Sequence, residues 1–202
     1  MAHIINTIAG AVDLDELLSQ NRARKEEAGR REEAYDPETG LGCCGERRPF
    51  DASRWGLGSP LLPAAMLADP EMTRVLTADE FRQLRFRHDF EYWAFTCLKI
   101  RHKISRRYVP MRLNAPQRRC LHLLENQRKA GKPLRIIVLK ARQWGSSTFA
   151  AAYMLWWQLV LHQHADGAIC THTKDTAAVI KGTIDIMLRN YPPQFVNTPG
   201  DS

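Results

Sequence analysis

The sequence predicts an α/β fold, with a helical N-terminal region followed by the start of a doubly wound, mostly parallel core. Two observations carry this expectation. From Leu134 onward the order is an apolar β-branched run, a glycine-containing loop, a helical stretch, a second short apolar run and a second helical stretch, the alternation that builds a parallel sheet with helices on its faces. Before it lie two stretches with apolar residues at helical spacing. Residues 1–34 read as a separate helical segment, residues 35–76 as a linker or irregular region, and residues 77–202 as an incomplete core.

The composition allows a real core. With 202 residues, 44% hydrophobic and 25% charged, the chain has the balance of a globular protein. Its longest apolar run, Phe149 to Leu161, is broken by Gln158 and is shorter than the roughly 20 residues that span a bilayer, so no membrane is expected. The apolar patch around Ile4 to Val12 has no basic segment before it, unlike a secretory leader. Cys43, Cys44, Cys97, Cys120 and Cys170 form no C-x-x-C pair. Free thiols in a reducing cytosol are expected.

Charge is unevenly spread. The net charge is +7, yet residues 82–142 hold 17 Lys/Arg against 3 Asp/Glu, an excess of +14, while the remainder holds 12 against 19. Cations gathered in one segment point to a polyanion; solvated helix faces are the alternative.

Each element has a local reason. Val12, Leu14, Leu17 and Leu18 make an apolar stripe ahead of the mixed-charge run RARKEEAGRREE, so helix is expected over residues 1–33. The stretch YDPETGLGCCGERRPFDASRWGLGSPLLP has no sustained period and reads as a linker or a loop draped over the next domain. Thr77 is a candidate N-cap, with Asp79 and Glu80 in the first turn. Phe86, Phe90, Trp93 and Cys97 then fall on one helical face, and Pro110 ends this region. A further helix opens at Asn114, with Pro116 in its first turn. LRIIVL (134–139) and GAICT (167–171) read as buried parallel strands, followed by helices over about 148–162 and 174–190.

The loop KARQWGSST sits where such sheets bind ligands, at the carboxyl end of a strand. A phosphate-binding loop needs converging backbone N–H groups and a helix N-terminus aimed at the anion. The pattern G-x-x-x-x-G-K-[ST] adds a lysine for the phosphates and a hydroxyl for Mg²⁺. Here Lys140 stands at the first glycine, Gly145 is the second, Ser146 replaces the lysine, Ser147 is the hydroxyl and Thr148 follows. Lys140 and Arg142 enter from the strand side, so the cation is either relocated or the loop is a structural turn.

KARQWGSST resembles the ATP-binding loop of phage and prophage terminase large subunits, which tolerate R-Q-x-G-x-[ST]-[ST] with a cation at the loop start. Lys140, Arg142, Gln143, Gly145, Ser147 and Thr148 match that form. LNAPQRRCLHLLE resembles the family's adenine-side element and makes Gln117 the candidate base reader; an exposed polar residue in a helical first turn is the other reading. GAICTHTKDTAAVIK is similar to the continuation of packaging and helicase cores. The resemblance covers about Phe86 to Tyr191. It implies a P-loop NTPase core binding ATP and Mg²⁺, with nucleotide contacts from Lys140, Arg142, Gln143, Gly145, Ser146, Ser147, Thr148 and Gln117. Ser147 would ligate Mg²⁺ through its hydroxyl. It further implies double-stranded DNA as partner, a portal protein and terminase small subunit, a homo-oligomeric ring in an intact protein, and the cytoplasm of a bacterial host.

One departure is large. Packaging by ATP turnover requires an Asp-Glu strand, and the family also carries a carboxylate-rich nuclease domain. After Thr148 the carboxylates are Asp166, Asp175, Asp185 and Asp201, none ending an apolar strand. The expectation is therefore the front part of a terminase, binding nucleotide without turnover on its own. The run RHKISRRYVPMR supplies Arg101, Lys103, Arg106, Arg107 and Arg112 as candidate DNA contacts, or else forms a solvated turn. A helicase-type ATPase fragment and a non-catalytic DNA-binding or interaction module are the competing readings.

Overall fold

A computed structural model describes residues 4–7, 10–74, 76–102, 104–139, 144–162 and 165–195. The chain forms two compact units, residues 1–35 and 36–202, and mixes helices with small antiparallel sheets.

In the first unit, β1 (Ile4–Thr7) pairs antiparallel with β2 (Gly10–Asp13), and α1 (Leu14–Glu33) comes next. The helix expected over residues 1–33 is thus confined to 14–33. The Asp13 carboxylate accepts from the Asp15 N–H at 2.9 Å, which closes the strand and opens the helix as an N-cap does.

The second unit begins with the Gly/Pro-rich stretch, which packs. β3 (Arg47–Pro49) pairs antiparallel with β4 (Leu61–Pro63), and the short α2 (Ala64–Leu67) comes after it. Ala52, Leu62, Met66 and Leu76 join Phe81 and Leu84 of α3 (Ala78–His88) in one buried cluster. Trp55 stacks on Phe81 with centroids 4.1 Å apart. Thr77 and Glu80 form a reciprocal capping box at the start of α3, so this helix opens where its cap predicts.

The continuous helix expected through Phe86 and Cys97 is two helices. Asp89 (φ −133°, ψ 83°) ends α3 and caps α4 (Phe90–Cys97), accepting from the Tyr92 N–H. Its carboxylate also takes a bidentate pair from Arg47 at 2.8 and 2.9 Å and a contact from Arg85 at 3.3 Å. Burial alone would raise the Asp89 carboxyl; the hydrogen bonds and charge of Arg47, with Arg85, outweigh it and hold it below its ordinary value. The break therefore serves a buried ion cluster tying β3 to both helices, while Phe86, Phe90, Trp93 and Cys97 all stay buried.

β5 (Lys99–Arg101) and β6 (Tyr108–Pro110) form a third antiparallel hairpin. α5 (Ala115–Lys129) opens with an Asn114–Gln117 capping box. α6 (Ser146–Trp156) runs on into a π turn, Trp157–Leu161, and α7 (Lys174–Arg189) is capped by Thr173. Phe90 is the centre of the aromatic core, with Phe149, Tyr153 and Trp156 at 5.9, 5.4 and 5.4 Å.

The two runs expected as parallel strands form no ladder. Residues 134–139 and 165–171 carry no strand, and every sheet among the described residues is a two-stranded antiparallel one. Ile137 and Leu139 are fully exposed, at 100% and 101%. Apolar β-branched composition favours an extended chain, but a strand exists only where a second strand accepts its N–H groups. Here none does among the described residues. Clefts of about 600 and 550 Å³ flank α6, the first towards α5 and the second towards α7. Both are lined mainly by apolar side chains, with Met154 and Gln158 shared.

Candidate nucleotide-binding loop

The loop reaches α6 through Gly145, which takes the left-handed conformation (φ 80°, ψ 26°) as the helix N-cap. That region favours glycine because a Cβ would crowd the backbone. A side chain is disfavoured for a second reason: a Cβ at this position would lie 2.8 Å from Gln117 Nε2, which would have to move. With glycine here no side chain caps the helix. The N–H groups of Ser146, Ser147 and Thr148 have no acceptor within the helix, the first intrahelical bond being Phe149 N–H to Gly145 C=O at 3.0 Å. The hydroxyls of these three residues hydrogen-bond to no described residue. Ser147 is exposed, and Ser146 and Thr148 are half-buried. Amides and hydroxyls without a partner among the described residues, at the positive end of an 11-residue helix, are a fit for phosphate oxygens.

The N-terminus of α5 holds this geometry. Asn114 Nδ2 donates to the Trp144 carbonyl at 2.9 Å, and Gln117 Nε2 donates to the Gly145 carbonyl at 2.9 Å. Within the capping box, Gln117 Oε1 accepts from the Asn114 N–H and Asn114 Oδ1 from the Gln117 N–H, both at 3.0 Å. Gln117 is 6% exposed, and both ends of its amide are engaged. Gln117 therefore acts here as a clamp on Gly145, and the base-reading role rests on the family resemblance alone. Asn114, read from sequence only as a helix start, is the second half of the clamp. The N-A-P-Q order over residues 114–117 is that of a capping box, but nothing in it reported the distant carbonyls these residues hold.

Lys140, Arg142 and Gln143 lie outside the described residues, as does Lys103. No cluster of three or more His, Cys, Asp or Glu that could hold a metal occurs among the described residues. No described helix is long and apolar enough to cross a membrane. Glu125 links α5 to α6: Arg128 grips it at 2.6 and 2.9 Å and the Tyr153 hydroxyl donates to it at 2.9 Å. Burial, then the Glu125 charge, pushes the Tyr153 phenol up, which keeps it a donor.

The remaining candidates cluster on the third hairpin. Arg101 ends β5, Arg106 and Arg107 lie in the connecting loop, and Arg112 stands just past β6; all four are exposed. Sequence reasoning missed the hairpin itself, because its strands are three residues long and its loop contains no glycine. Comparison with protein-family models, curated proteins and solved structures finds no match for this chain.

Proposed function

We propose that this chain is the nucleotide-binding front part of a DNA-packaging motor of the terminase large-subunit kind, with a P-loop NTPase core begun by α5, the 140–148 loop, α6 and α7. One observation carries the reading: the α6 N-terminus, held open by a left-handed Gly145, offers three amides and three hydroxyls without a partner among the described residues. The resemblance of KARQWGSST to the terminase loop supplies the identity of the ligand. In this reading the amides of Ser146 to Thr148 hold the outer phosphates of ATP, and Lys140 with Arg142 neutralises them from the other side. Gln143 is a further nucleotide contact implied by the same resemblance. Ser147 offers its hydroxyl to Mg²⁺, which completes its shell with phosphate oxygens and water. Mg²⁺ would supply charge neutralisation at the phosphates; Asn114 and Gln117 keep the loop shaped for them. Double-stranded DNA is the partner, in a bacterial host's cytoplasm, with portal and small-subunit proteins and a ring in the intact assembly.

Calorimetric titration with a non-hydrolysable ATP analogue and Mg²⁺ tests the reading. Saturable binding by the wild type, lost in Lys140→Ala, is expected. Absence of binding by the wild type and by Ser146→Lys would overturn it and favour the non-catalytic DNA-binding module. A helicase-type fragment would bind nucleotide equally, and differs in preferring single-stranded nucleic acid.

A further inference from the structure

The β5–β6 hairpin is built with two unlike faces. Its register pairs Lys99 with Pro110, Ile100 with Val109 and Arg101 with Tyr108. Directly opposed residues share a face, so Ile100 and Val109 form one face and both are half-buried. The other face carries Lys99, Arg101 and Tyr108, all exposed, with Tyr108 at 56%. The loop beyond it is closed by the His102 N–H to Arg107 C=O bond at 2.8 Å and the Arg106 N–H to His102 C=O bond at 3.0 Å. The Ser105 N–H also donates to His102 Nδ1 at 3.2 Å. At this tip stand Arg106, Arg107 and Ile104, which is 86% exposed.

Two features separate this hairpin from an ordinary solvated turn. Lys99, Arg101, Arg106 and Arg107 gather four exposed cations on one short hairpin, and none of them has a carboxylate partner among the described residues. Arg106 is also the one described non-glycine residue at positive φ, 58°, a conformation that costs an L-residue and recurs where function holds it. A cation-faced ribbon ending in an exposed apolar tip matches the major groove of B-DNA. That groove admits a two-stranded β-ribbon, its walls are phosphates, and its floor offers thymine methyl groups to apolar side chains.

We propose that the β5–β6 hairpin is a double-stranded DNA arm. Lys99, Arg101, Arg106 and Arg107 contact phosphates, and Ile104 enters the major groove. This deepens the DNA-partner part of the proposed function and is independent of the nucleotide loop.

The test is fluorescence anisotropy of the full chain with a labelled A/T-rich duplex of about 20 base pairs between about 50 and 200 mM salt, each phosphate contact contributing roughly 0.9 to the log–log salt slope. Arg101→Gln/Arg107→Gln should lower that slope by roughly two. Arg106→Gly should lower it by about one with thermal stability kept or raised, since glycine suits φ 58°; this variant guards against misfolding in the first. Replacing thymine by deoxyuridine, which removes only the C5 methyl, should weaken the wild type by about threefold and leave Ile104→Ala unchanged. An unchanged slope in both arginine variants overturns the phosphate role. Equal binding of the two duplexes overturns the groove contact. Tighter binding of single-stranded DNA or of RNA overturns the arm as a duplex reader. ATP-analogue titration of the same samples reports separately on the loop, so failure of one leaves the other standing.

Discussion

At the scale of single residues, Gly145 and Gln117 are interdependent. Gly145 bends the chain into the left-handed region at the mouth of α6, and Gln117 holds the bend by its carbonyl. An alanine at Gly145 costs about 1–2 kcal/mol for its backbone conformation alone, and its Cβ would meet Gln117 Nε2 at 2.8 Å. Gly145→Ala is expected to lower unfolding stability by at least that amount in urea titration. A stability unchanged within error would contradict the clamp. The glycine itself was legible in the sequence, since a turn into a helix after an apolar run calls for one. The clamp made by Gln117 was not, because a capping box is a local pattern and the carbonyl it holds lies 28 residues away.

At the scale of elements, helices were more legible than strands. The caps at Thr77 and Asn114 announced α3 and α5 because a helix satisfies its own backbone and needs only local signals. Residues 134–139 have the composition of a strand, but a strand borrows its hydrogen bonds from elsewhere, and composition does not say from where. Likewise the apolar spacing runs unbroken across Asp89, hiding the division of α3 from α4; only the pairing with Arg47, 42 residues upstream, explains it. Ile137 is fully exposed, so Ile137→Lys should change stability by no more than about 0.5 kcal/mol, with fast amide exchange over residues 136–139. A loss of several kcal/mol would mean that this run is buried in a sheet.

At the scale of the whole molecule, the second unit is tied together by a buried charge cluster as well as by its aromatic core. Arg47, Arg85, Asp89 and Glu91 join β3 to α3 and α4, with the Cys44 N–H donating to Glu91 at 2.7 Å. Removing one partner leaves the others charged and uncompensated, so Asp89→Asn should cost about 3–5 kcal/mol, read by urea denaturation. The pH dependence has a definite sign. The folded Asp89 carboxyl lies below its ordinary 3.8, so its contribution is fully present above that value and is lost as pH falls through the lower, folded one. Wild-type stability should therefore decline on acidification below about pH 4, and Asp89→Asn should flatten that decline. Equal acid sensitivity in the two proteins would mean that Asp89 is not the group whose protonation weakens the fold.

At the centre of the proposed function is a phosphate chain received by the first turn of α6. Amide chemical shifts in ¹⁵N-labelled protein, followed while the ATP analogue and Mg²⁺ are added, test it most directly. The N–H signals of Ser146, Ser147 and Thr148 are expected to move together and to saturate at one shared concentration, with Gly145 moving alongside them. If those signals stay still while ligand binds, or if no signal moves at all, the loop is a structural turn into α6 and not a nucleotide site.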